Sequence, residues 1–141
     1  MSLTDPRFIA LSHWFNQYFA EQVTPYLICG DASFRRYFRI EHLGEHYIVS
    51  DSPINLVPIA PFVAMAKAYK TAGLCVPEVL ATDDEQGFVL QTDVGEKQLL
   101  SVLNQHNVVD YYQQALNLLP TIAGVTVTEL GPLADYDGAF V

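Results

Sequence analysis

The hydrophobic pattern changes period several times along the chain, and each change marks an element. Phe8, Leu11, Phe15, Tyr18 and Phe19 recur at helical spacing, which predicts an amphipathic helix over residues 5–21. Trp14 widens its apolar stripe, and Thr4 offers a capping hydroxyl with Asp5 and Pro6 in the first turn. The stripe reads as a face that docks on a core rather than as an aromatic ligand box. Pro25 to Cys29 is a short apolar run that predicts a strand, and Gly30, Asp31, Ala32 and Ser33 break it. From Phe34 to Ile40 the period falls to two: Phe34, Arg36, Phe38 and Ile40 share one face, Arg35, Tyr37 and Arg39 the other. Residues 41–45, with Gly44, read as a turn, and residues 46–51 return as a strand, which makes a hairpin.

Ser52 and Pro53 end that strand. Pro58 and Pro61 bracket the approach to a helix over about residues 60–72, with Phe62, Met65, Ala66 and Tyr69 at helical spacing and Gly73 as its stop. Residues 76–81 and 87–91 predict two further strands around the acidic turn Asp83 to Glu85, which reads as solvated. Asp93, Val94 and Gly95 make a break. Residues 97–103 and 108–122 read as helices, the second with Tyr111, Tyr112, Ala115, Leu118 and Leu119 on one side, and residues 128–141 show no periodicity. The order helix, strand, hairpin, helix, two strands, break, two helices fits an α+β fold, a five-stranded antiparallel sheet covered by helices.

Composition narrows the function classes. A chain of 141 residues with half of them hydrophobic can bury a core and is not disordered. No apolar run is long enough for a transmembrane helix, and no secretory signal precedes the first helix. Cys29 and Cys75 lie far apart without metal-like spacing, which reads as two buried thiols in a reducing cytoplasm. His13, His42, His46 and His106 show no ligand spacing. A net charge of -9 argues against nucleic-acid binding, which needs a broad basic face. Against that background Arg35, Arg36 and Arg39, three of only seven basic residues, fall within five positions beside a small-residue turn. The cluster points to a held anion. Pairing with surface carboxylates is the plainer alternative, though such pairs contribute only about 0–1 kcal/mol.

The turn lies on a known pattern. Protein kinases place a G-x-G-x-[FY]-G-x-V loop over the ATP phosphates, and Gly30 to Tyr37 follows it with Ala32 and Arg35 in the second and third glycine places. The blocks A-S-F-R-R-Y-F-R, then Ile48 to Pro53 (I-V-x-D-x-P), then Pro61 to Leu80, then Gly87 to Gly95 (G-F-x-L-x-x-D-x-G) resemble the aminoglycoside phosphotransferase/choline kinase-like superfamily. Within it they are most similar to the bacterial cell-wall amino-sugar kinases, which phosphorylate the anomeric hydroxyl of N-acetylmuramate and N-acetylglucosamine in cell-wall recycling. The resemblance covers residues 5–125 or so.

It implies a kinase-like N-terminal lobe over residues 1–92, with residues 93–141 as the hinge and a truncated start of a C-terminal lobe. It implies ATP and Mg²⁺ as cofactors and a small-molecule sugar as acceptor, with no nucleic-acid or membrane partner. The implied nucleotide contacts are the loop Gly30, Asp31, Ala32, Ser33 and Phe34, the cations Arg35 and Arg36, strand residues Val49 and Asp51, and the backbone of Gln91, Thr92 and Asp93 for adenine. Ile28, Val49 and Leu90 are candidates for the apolar lid and floor or for ordinary core. Phe34 either shields phosphates or packs in the core, Asp51 either orients an arginine or caps a strand, and Asp93 either meets a sugar hydroxyl or a helix start.

Two departures stand out. The strand of residues 46–51 carries no Lys for the phosphates, so an arginine of the cluster, or Lys67, is the expected substitute. No His is followed two residues later by Asp, so the H-x-D-x-x-x-x-N segment that supplies the catalytic Asp is absent, as are the acidic Mg²⁺ ligands. The expectation is an ATP-binding lobe inactive alone, self-associating through helix 108–122. The alternative is a non-catalytic nucleotide- or protein-binding module with a kinase-like lobe.

Overall fold

A computed structural model describes residues 5–28 and 34–135. The chain divides into two compact units. One takes the described residues up to Val63 together with Pro77–Asp93; the other takes Ala64–Val76 and the described residues from Val94 onward.

The first unit holds helix α1 (Pro6–Phe19) and strands β1 (Pro25–Ile28), β2 (Arg36–His42), β3 (Glu45–Asp51), β4 (Val79–Asp83) and β5 (Phe88–Thr92). The strands form one antiparallel sheet in the order β1-β2-β3-β5-β4, so the class is α+β as expected. β2 and β3 meet through a two-residue loop, His42 pairing with Glu45. Leu43 and Gly44 both take positive φ there (52° and 81°), the backbone that suits the twist of a tight hairpin. At Gly87 (φ +79°) an added Cβ would stand 2.0 Å from the Ser52 carbonyl oxygen, so only glycine fits where β5 starts beside the end of β3.

Leu11 and Phe15 of α1 are fully buried on Phe38, Ile40, Val49, Phe88 and Leu90, with Phe8, Trp14 and Phe19 packed around them. Phe8 tilts against Phe38 at 5.3 Å and Trp14 against Phe88 at 5.8 Å. Tyr18, placed in that stripe by spacing, is instead half exposed. The helix cap is Asp5 rather than Thr4: the Asp5 carboxylate accepts from the Phe8 N–H at 2.9 Å, with Pro6 in the first turn. Thr4 and Cys29 lie outside the described residues. Cys75 is exposed, which corrects its reading as a buried thiol.

Helix α2 (Ala60–Thr71) starts in the first unit and ends in the second, where helices α3 (Leu99–Val102) and α4 (Val108–Ala123) follow. Val127–Thr128 and Gly131–Pro132 form a short hairpin that the sequence pattern did not foreshadow. Among the described residues, no helix is long and apolar enough to cross a membrane.

Candidate functional site

Strand alternation sorts the candidate residues onto two faces of the sheet. The register sets Arg36 against Asp51 and Asp51 against Phe88, all on the face that α1 covers. The neighbouring row, Tyr37, Ser50 and Val89, lies on the opposite face. Arg35, Tyr37, Ser50, Ser52 and Val89 gather there around Ile59 and Phe62, and the Arg35 guanidinium sits 5.7 Å from the centre of the Phe62 ring.

The arginine cluster therefore does not converge on one anion. Arg36 donates from Nε to Asp51 Oδ2 at 3.0 Å and from Nη2 to the same oxygen at 2.5 Å. It donates from Nη1 to Asp5 Oδ2 at 2.5 Å and from Nη2 to Asp5 Oδ1 at 3.2 Å. Arg7 donates to the other oxygen of Asp51 through Nε at 2.9 Å and through Nη2, and Nη2 also reaches the Gln86 carbonyl at 2.7 Å. Asp51 is buried to 1% exposure, so two cations for one carboxylate is how that burial becomes tolerable. Two arginines and two aspartates make a neutral cluster that ties α1 to β2, β3 and the β4–β5 turn. The Arg36 hydrogen bonds, and then the Phe8 N–H, lower the Asp5 carboxyl to about 2. Asp5 in turn raises the Arg36 pKa above its ordinary value, against the effect of burial.

Arg39 turns to a third place. Its Nε lies 2.5 Å from Asp93 Oδ2, at the end of β5. Lys67, the alternative phosphate cation, pairs with Glu129 at 3.0 Å beside an open groove of about 510 Å³ in the second unit.

Gly30, Asp31, Ala32 and Ser33 lie outside the described residues. Phe34 is 68% exposed, so it is not core. Val49 and Leu90 are fully buried in the cluster under α1, which corrects their candidacy as a nucleotide floor: neither has surface to offer. The backbone of residues 91–93, expected to meet adenine, is bonded in part within the sheet. The Thr92 N–H donates to the Glu78 carbonyl and the Asp93 N–H to the His46 carbonyl, so those two donors are spent within the sheet. The sequence reading missed Arg7 and the pairing of Asp5 with Arg36. A signal was present: alternation places Arg36 on the Phe38 face, and a guanidinium on an apolar face needs a carboxylate.

No family model matches this chain. It is homologous to proteins named N-acetylmuramate/N-acetylglucosamine kinase. The relative from Pseudomonas aeruginosa PAO1 is 40% identical over 109 residues, covering 77% of this chain and 32% of the relative. That from Pseudomonas putida KT2440 is 33% identical over 111 residues, 79% of this chain and 32% of the relative. That from Neisseria meningitidis serogroup B strain MC58 is 31% identical over 101 residues, 70% and 30% respectively. The chain spans about a third of the length of the curated relatives it matches.

Proposed function

We propose that this chain is the ATP-binding lobe of an amino-sugar kinase, which transfers the γ-phosphoryl group of ATP to a hydroxyl of N-acetylmuramate or N-acetylglucosamine. The observation that carries the reading is the homology to three kinases of that name over most of this chain. The five-stranded antiparallel sheet is consistent with a kinase-like N-terminal lobe. Residues 1–92 then form that lobe, and residues 93–141 the hinge and the start of the next.

The donor set narrows how a nucleotide would be held. Arg36 and Arg39 are held by carboxylates on the sheet, and Arg35, on the face away from α1 beside Tyr37, Ser50 and Val89, is the cation of the cluster we assign to the phosphates. Val89, Tyr37 and Ser50 share that face and replace Val49 and Leu90 as its lining. Bound ATP supplies the transferred phosphoryl group; this chain's residues bind and orient it. Among the described residues no group of three His, Cys, Asp or Glu could hold a metal ion. No step through Mg²⁺ is assigned to the described residues. The H-x-D-x-x-x-x-N segment is likewise absent from the 141 residues.

The test is radiolabelled ATP, Mg²⁺ and each amino sugar, with the product of the complete reading frame that encodes this chain. Label should appear in a sugar phosphate with at least one of the two. ATP binding without transfer to either would favour a non-catalytic nucleotide-binding module, the reading that the missing strand Lys supports.

A further inference from the structure

The ion pair at the end of β5 stands apart from the cluster under α1. Alternation along β2 puts Arg39 on the face opposite α1, and the register sets it against Ile48, which pairs with Gln91. Its guanidinium thus reaches across β3 to β5, with Nε 2.5 Å and Nη2 3.4 Å from the two Asp93 oxygens. The Asp93 side chain is only 6% exposed and that of Arg39 19%, so this is a desolvated pair and not a surface one. Two more tethers close on the same strand end. The Thr92 N–H and hydroxyl oxygen bond the Glu78 backbone on one side, and the Asp93 N–H bonds the His46 carbonyl on the other.

We infer that Arg39 and Asp93 are a positioning pair, which fixes the point where the chain leaves the sheet and with it the base end of the nucleotide site. This rests on the ATP-binding reading above. The pair acts through the backbone it holds: strand hydrogen bonds set the register of β5, and the Asp93 carboxylate ties the residue just past its end to a strand two places away. A one-ångström drift of a binding backbone is enough to lose contacts to a planar base. Because Arg offers a fork of donors and Lys a point charge, the geometry requires Arg in particular.

The test is titration calorimetry of ATP, of N-acetylmuramate and of N-acetylglucosamine with the product of the complete reading frame, comparing Arg39→Met, Asp93→Asn, Arg39→Lys and the double variant Arg39→Met/Asp93→Asn. The two single neutral variants should weaken ATP about tenfold or more and leave the sugar affinity unchanged. Arg39→Lys should recover part of the loss, and the double variant should be no weaker than Arg39→Met. The double variant leaves no unpaired buried charge, so it reports even if a single variant fails to fold. Unchanged ATP affinity in it and in Arg39→Lys, or equal weakening of ATP and sugar, overturns the inference. A wild type that binds no ATP overturns both it and the reading it rests on. A wild type that binds ATP but neither amino sugar sinks the acceptor assignment, and the pair is then judged on the ATP affinities alone.

Discussion

Helices α1 and α4 carry similar apolar stripes and meet opposite fates. In α1, Leu11 and Phe15 are completely buried on the sheet. In α4, sixteen residues long, no side chain is buried, and Tyr112, Leu116, Leu118 and Leu119 are all more than half exposed. Periodicity predicts a helix with an apolar side; it does not say whether anything covers that side. The difference lies in what each helix ties down. α1 brings both an apolar stripe and the Asp5 and Arg7 charges to a sheet that has Arg36 and Asp51 waiting. α4 brings an apolar stripe with Asp110 as its single charge.

The comparison breaks first at Phe15. Truncating a fully buried phenylalanine removes its transfer free energy and leaves a cavity between α1 and the sheet. Phe15→Ala should cost about 3–5 kcal/mol, a large share of the stability of a domain this size. A urea titration followed by tryptophan fluorescence reads it directly, since Trp14 sits beside the lesion. A shift below about 1 kcal/mol would mean that the α1 stripe is no better covered than that of α4.

A subtler difference is chemical. Asp5 is held near 2 in the fold against 3.8 ordinarily, first by Arg36 and then by the Phe8 N–H. A depressed carboxyl pKa means that the unfolded chain takes up the proton more readily. The contribution is therefore whole above pH 3.8 and is lost as pH falls from there through about 2. Asp5→Asn keeps a capping oxygen while removing the charge. Its urea midpoint should lie below that of the wild type at about pH 5, and the gap should close on acidification toward about pH 2.5. A gap that stays constant would show that Asp5 acts only as a cap.

How much of this was legible follows from range. The five strands, their antiparallel class and the α1 stripe came from local periodicity. β4 begins at Val79 rather than residue 76 because Pro77 has no N–H to give the ladder, a local rule that the apolar run had masked. Asp5 displaced Thr4 as the cap, and both are capping residues, so type alone could not decide. The Arg36 to Asp5 and Arg39 to Asp93 pairs join residues 31 and 54 positions apart. Such pairs are set by strand register, which no single-chain pattern fixes. The three arginines looked like one site because they are adjacent in sequence, and alternation sends them to different faces.

The smallest expected effect is the sharpest about α4. Leu119 is 53% exposed, so replacing it with Ser removes little buried area. Pro120, one position on, already denies the helix a bond to the Leu116 carbonyl, and the last turn closes instead through the Gly124 N–H to the Pro120 carbonyl. In this chain Leu119→Ser should change stability by no more than about 0.5 kcal/mol. The measurement is the urea midpoint at two protein concentrations a hundredfold apart. A loss several times larger that appears only at the higher concentration would mean that copies of the chain cover the stripe for one another, as the sequence led one to expect of helix 108–122. A loss independent of concentration would mean that α4 is covered within one chain. No loss at either leaves α4 as the exposed counterpart of α1, a helix whose apolar side this chain forms but does not bury.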